Sequence, residues 1–147
     1  MITCDVYGYD STSNNGLGNQ MFCIASTLGL AYRLQTDAFF PDLNLKHYQY
    51  YRDTIFHKLS SEDKNQQIVN SYKEQPYTST RYNPIPLKDN MKISGFFQSH
   101  KYFNFCKDKI TNLFQVPDSI EEKVINKYSM YLQSNVVSIH VRRTDYL

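Results

Sequence analysis

The tightest constraint on this chain lies in its first 34 residues. Met21, Ile24, Ala25, Leu28, Ala31 and Tyr32 recur at three- and four-residue steps, the repeat of a helical face turned toward an apolar neighbour, and this predicts a helix over residues 19–34. Gly16 and Gly18 stand just before it. The segment YDSTSNN, residues 9–15, is turn chemistry, because short polar side chains hydrogen-bond their own backbone. The opening MITCDVYG reads as a short strand. A strand, a glycine turn and a helix at the start commit the chain to alternating β and α elements.

The rest of the sequence extends that alternation. DAFFPD, residues 37–42, is a second short strand closed by Pro41. Residues 44–90 decay into polar, Tyr-rich sequence, with some helix at YYRDTIFHKL and a long loop over EQPYTSTRYNPIPLKDN. MKISGFF is a strand, and a helix follows over residues 100–114, with Tyr102, Phe103, Phe105, Cys106, Ile110, Leu113 and Phe114 as its apolar side. A further helix begins at DSIEEKVINKYSMYL, where Ser119 and Glu122 have the spacing of a capping box. VVSIHV, residues 136–141, is a buried strand. Strands alternating with helices predict an α/β layer fold.

Composition removes several functions. With 16 basic and 14 acidic side chains the net charge is +2, too small for a nucleic-acid coat or an anionic membrane surface. Any anion site depends on local placement. Cys4, Cys23 and Cys106 are odd in number and widely spaced, which reads as buried thiols rather than a disulfide framework or a zinc site. His47, His57, His100 and His140 have no metal-ligand spacing, and no Asp-x-Asp pair offers a divalent ion a seat beside a nucleotide diphosphate. The longest uncharged stretch is interrupted by Asn14, Asn15, Asn19 and Gln20, so no segment reads as a membrane span, and Asp5 and Asp10 stand where a signal peptide would be basic.

Two places carry chemistry. In NNGLGNQMF, the two glycines allow close approach to the backbone, and the helix that follows turns unpaired amides toward the loop, a concavity for an anionic or hydroxylated ligand. Met21 stands where a dinucleotide fingerprint has its third glycine, and the lysine of a phosphate loop is missing. At the other end, an extended backbone puts Ser138, His140 and Arg142 on one face and Val137, Ile139, Val141 and Arg143 on the other. Both arginines fall at the strand exit, where open α/β sheets bind ligands and where guanidinium grips phosphate through paired hydrogen bonds. Asp145 is placed to hold one of them.

GLGNQMF, ISGFFQSHKYF and VSIHVRRTDYL, in this order, resemble the successive motifs of the α-1,2-fucosyltransferases, glycosyltransferase family 11. The resemblance covers most of the chain but not residues 44–90. It implies a GT-B-type architecture of two Rossmann-like domains, and inverting, metal-independent transfer of L-fucose from GDP-fucose to the 2-hydroxyl of a galactoside. It also implies that His140, Arg142, Arg143 and Asp145 form the donor-diphosphate motif, with Arg142 and Arg143 stabilising the departing GDP. Gly16, Gly18, Asn19 and Gln20 match the family's cleft loop, with Asn19 the residue expected to touch substrate. The middle motif, residues 95–103, is assigned mainly to structure, with Gln98 and Ser99 at the strand exit as secondary candidates for the cleft.

Departures qualify the match. Asn15 replaces a glycine, Cys23 and Ile24 replace a polar and an aromatic residue, and YDSTSNN lengthens the link into the loop. The family's donor domain continues beyond its arginine motif. The chain therefore reads as a Rossmann-like acceptor-side domain over residues 1–135 and the opening of an incomplete donor domain over residues 136–147. On this reading the isolated chain is inactive, has no cofactor or metal, and takes GDP-fucose and a galactoside glycan as partners. It belongs in the cytoplasm or peripherally on a membrane, and in the Golgi only with an anchor from outside this chain. A non-catalytic glycan-binding remnant and a protein fucosyltransferase are the alternatives. Asp10, Asp37 and Asp42 are candidates for the general base, with no ground in the sequence to choose among them.

Overall fold

The computed structural model describes residues 1–6, 16–45, 49–62, 67–75 and 82–141. The turn segment YDSTSNN lies outside the described residues. The chain divides into two compact units, Met1–Gln115 and Val116–Leu147.

The first unit is built on a parallel sheet of β1 (Ile2–Cys4), β2 (Asn70–Lys73) and β3 (Met91–Ser94), in the order β1-β3-β2. Ile2, Thr3 and Cys4 lie opposite Met91, Lys92 and Ile93, and β2 joins the other side of β3 from Asn70 opposite Met91. Every residue of β1 is buried, and Met91 and Ile93 of β3 are buried while Lys92 between them is exposed. The α/β expectation and the opening strand hold, and MKISGFF yields a strand at its first four positions.

Helix α1 (Leu17–Leu34) forms where the periodicity placed it. Its end is set by Gln35, whose left-handed backbone (φ 52°) sends its amide back to the carbonyls of Ala31 and Tyr32. The periodicity understated its burial, because residues Cys23 through Ala31 are all buried. One side of α1 faces β1, and Gly29 lets the other side meet the 100–106 segment: a Cβ there would lie 2.5 Å from the Tyr102 carbonyl oxygen. Ile24, Leu28, Phe40, Leu43, Phe56, Ile93 and Phe97 share this core.

Several local expectations are corrected. Residues 37–42 contribute one parallel bridge, Ile2 with Ala38, and then a 3-10 turn at Pro41–Asn44, because Pro41 has no amide to extend a ladder. YYRDTIFHKL gives a single turn, α2 (Gln49–Arg52), followed by non-helical turns. The polar region conceals β2, an edge strand whose residues alternate half-buried and exposed. The helix expected over 100–114 is two 3-10 turns, His100–Tyr102 and Asn104–Cys106, then α3 (Lys107–Leu113). The break falls at Phe103 (φ −137°), where the segment packs on Gly29.

In the second unit α4 (Asp118–Leu132) occupies the expected span, but Pro117 is its N-cap and no side chain caps it. Ser119 already lies inside the first turn, so the capping box does not form. Residues 136–141 are neither buried nor in a strand: Val137 is 87% and Ile139 85% exposed. A buried strand needs hydrogen-bonding neighbours on its edges, and among the described residues none pairs with this one.

Candidate functional site

Chain direction settles which elements meet. After α1 the chain returns to the start of β1, where the Ile2 amide donates to the Asp37 carbonyl at 2.8 Å and the Phe39 amide to the Ile2 carbonyl at 3.1 Å. The C-terminal end of α1 therefore stands at the amino edge of the sheet. Its N-terminal end stands at the carboxyl edge, where open α/β sheets take their ligands. No side chain caps α1 and its first turn holds no acidic residue, so no carboxylate within that turn neutralises the positive end of its dipole.

Against this helix end comes the exit of β3. The Gln98 side-chain nitrogen donates to Asn19 Oδ1 at 2.7 Å. Among the described residues the Asn19 side-chain nitrogen and the Gln98 side-chain carbonyl oxygen have no partner, so the pair keeps an amide donor group and a carbonyl acceptor. A rigid turn aims Gln98. Gly95 has φ 155° and Phe97 φ 47°, both uncommon for a side-chain-bearing residue. Glu74, only 1% exposed, accepts the Phe96 and Phe97 amides through Oε2, each at 2.9 Å. The Cys23 thiol donates to the Gly95 carbonyl at 3.0 Å. Ser99, by contrast, accepts the Lys101 amide as the cap of the next turn, a structural task.

The same edge holds two carboxylates. Asp5, just past β1, meets Lys92 Nζ at 2.5 Å and accepts the Ser94 hydroxyl at 2.7 Å. Asp42 accepts the Val6 amide at 3.2 Å. Burial pushes the Asp42 carboxyl above the usual carboxylate range; the charge of Asp5 adds to this, while the Val6 amide and Lys92 oppose it. Asp37 sits at the opposite edge, level with Met1, and Asp10 lies outside the described residues. The register thus separates candidates that the sequence left equal.

Gly16 and Gly18 are not demanded by the fold. Gly16 has an ordinary φ of −58°, and a Cβ at either position would meet none of the described residues within 4 Å. A groove of about 300 Å³ opens at Gly18, lined by Met21, Phe22, Ala25, Phe103 and Phe114, with Lys107 the cation among its lining residues. Gln20, expected at the loop, is buried at 2% exposure. His140 is exposed in the second unit, and Arg142, Arg143 and Asp145 lie outside the described residues. Cys4, Cys23 and Cys106 are buried and free, and burial pushes the Cys23 thiol up to about 12, which removes it as a nucleophile. Asp5, Lys92, Ser94 and Glu74 were missed; only Asp5, an acidic residue at the end of an apolar strand, left a signal. No helix of the described residues is long and apolar enough to cross a membrane.

A parallel sheet with a helix N-terminus, an amide pair and carboxylates along its carboxyl edge makes this an α/β chain with polar groups gathered where such sheets take ligands. The chain belongs to glycosyl transferase family 11, whose family model matches residues 5–147, so it is a glycosyltransferase chain of fucosyltransferase type. The match runs through residues 44–90, where motifs alone gave no likeness. No curated protein and no solved structure matches the chain.

Proposed function

We propose that this chain serves α-1,2-fucosyl transfer, moving L-fucose from GDP-fucose to the 2-hydroxyl of a galactoside with inversion and without a metal, within a GT-B-type architecture. The observation that carries the reading is the hydrogen bond between Asn19 and Gln98, which joins the first and middle family motifs at the ligand-binding edge of the sheet. A paired amide donor and acceptor suits adjacent sugar hydroxyls. In the reaction the acceptor oxygen attacks the anomeric carbon, the fucose–phosphate bond breaks, and its electrons leave with GDP. Arg142 and Arg143 stabilise the charge growing on the diphosphate. Asp42, at the same edge as Asn19 and with a raised pKa, takes the proton from the acceptor hydroxyl.

Calorimetric titration with GDP-fucose, beside a transfer assay on lactose, tests this. The expected results are GDP-fucose binding that Arg143→Ala weakens, and, wherever turnover is measured, a loss of roughly 100- to 1,000-fold for Arg143→Ala. Asp42→Asn is expected to cost roughly 100-fold or more in kcat with a smaller change in KM. Saturable galactoside binding that GDP-fucose never influences would instead favour a non-catalytic glycan-binding role.

A further inference from the structure

The turn after β3 is more costly than a strand exit requires. Phe97 holds φ 47°, a left-handed backbone that a bulky aromatic residue rarely adopts, and Gly95 two residues earlier has φ 155°. Strained backbone persists only where its surroundings over-determine it, and such places cluster at functional sites. Here the surroundings are specific. The Phe97 ring is fully buried, stacked on Tyr72 with centroids 6.4 Å apart and set edge-on to Tyr102 at 5.5 Å, which pins the side chain against any relaxation of its backbone.

Glu74 supplies the polar half of that hold. It is the first residue past β2, and its own amide fixes it beside the turn by donating to the Ser94 carbonyl at 2.8 Å. From there a single carboxylate oxygen, Oε2, accepts both the Phe96 and the Phe97 amides at 2.9 Å, and charge-assisted bonds of this kind are roughly twice as strong as neutral ones. Gly95 makes the reach possible, since a Cβ there would stand 2.8 Å from the same oxygen. Helix α1 grips the same turn twice, from positions one helical turn apart: the Cys23 thiol holds the Gly95 carbonyl, and Asn19 meets Gln98. Burying a carboxylate is expensive, and a turn that only ended a strand would not need one. At 1% exposure Glu74 touches no substrate, so it is neither acid nor base in the reaction. What its carboxylate fixes is the direction of Gln98, the exposed residue that follows Phe97.

We infer, resting on the transfer reading for the identity of the sugar, that Glu74 is a positioning residue for the acceptor: it sets the strained turn that presents Gln98 to Asn19, and through that pair it sets the affinity for the galactoside. The test is an NMR titration of the full chain with methyl β-galactoside, following the side-chain amide signals of Asn19 and Gln98. Glu74→Gln keeps the length and an oxygen acceptor but not the charge; it should shift the Gln98 signal in the free protein and weaken binding roughly fivefold. Glu74→Asp, which draws the oxygen back by one methylene, is the second variant and should do the same. Gln98→Ala should weaken binding to a similar extent, and adding Glu74→Gln to it should cost less than about twofold more, because both act through one contact. Leu30→Val, which trims a buried side chain toward the other end of α1, should lower the thermal midpoint and leave the affinity unchanged. Additive losses in the double variant, or a loss of affinity in Leu30→Val equal to that in Glu74→Gln, would overturn the positioning role by reducing it to general stability. Unchanged binding in both Glu74 variants beside an effective Gln98→Ala would overturn it and leave the transfer reading standing. A parent chain that binds no galactoside, or a Gln98→Ala without effect, would overturn both.

Discussion

Helices α1 and α4 read alike in the sequence and end in opposite environments. Both repeat apolar residues at helical spacing, and both form over the span expected for them. Residues Cys23 through Ala31 of α1 are buried without interruption, whereas α4 buries none: Val124 is 49%, Ile125 45% and Tyr131 53% exposed. A helical period states which face can be covered, not that something covers it. The stability of α1 therefore comes from packing, and that of α4 from local terms such as Asp118 and Glu121 at the positive end of its dipole. Ile24→Ala against Ile125→Ala would break the comparison most sharply. The fully buried Ile24 should cost about 3–4 kcal/mol in denaturant-derived unfolding free energy, and the exposed Ile125 less than about 0.5 kcal/mol. Equal losses would mean that α4 is packed after all.

The next largest effect lies where α1 and the β3 exit come closest. Gly29→Ala drives a methyl to 2.5 Å from the Tyr102 carbonyl oxygen, against backbone that has little room to move. It should destabilise by about 2–3 kcal/mol. Gly95→Ala adds contact at 2.4 Å with the Glu74 Cβ to a backbone at φ 155°, and should do at least as much, releasing Gln98 from Asn19. Thermal melts of both variants measure this. A melt like that of the parent would show that the 95–103 segment gives way.

Alkaline pH separates the two helices by a smaller increment. Burial raises the Cys23 thiol from 9.0 to about 12 and raises Cys4 well above 9.0, while α4 contains no thiol. As pH climbs, the unfolded chain gives up these protons first. The Cys23 contribution is full below about pH 9 and is lost between there and about pH 12, at roughly 1.4 kcal/mol per pH unit, and Cys4 acts in the same direction. Denaturant midpoints at pH 8 and pH 10 under reducing conditions should fall accordingly, and Cys23→Ala should flatten part of the slope. A midpoint independent of pH would place Cys23 in contact with solvent.

What the sequence made legible follows from range. Periodicity within one element found α1, the stop at Pro117 and a capping-box spacing that does not form as a cap found α4, and the motif NNGLGNQMF pointed to Asn19. Strand β2 escaped because Asn70, Ser71, Tyr72 and Lys73 form a polar edge, where only one side of each residue needs a partner. Glu74 escaped because its task, holding the amides of Phe96 and Phe97, exists only once a parallel crossover brings residues 22 or more apart together. Asp37 and Asp42 look equivalent in the chain, yet a single bridge at Ala38 assigns them to opposite edges of the sheet. The run 136–141 misled for the complementary reason: β-branched residues advertise a strand, but pairing is a property of neighbours.

The smallest expected effect on stability sharpens the comparison inside α1 itself. Gly29 is required by packing, whereas a Cβ at Gly18, in the first turn of the same helix, would meet none of the described residues within 4 Å. Gly18→Ala should therefore leave stability unchanged or raise it by about 0.5–1 kcal/mol, since alanine is the better helix former. The groove that begins at Gly18 predicts a different outcome for function. If the space above this residue is where substrate approaches the Asn19–Gln98 pair, the added methyl should weaken binding of GDP-fucose or a galactoside several-fold in the same stable protein. A variant that is both more stable and unchanged in binding would assign Gly18 no part in the site and leave Asn19 and Gln98 to define it.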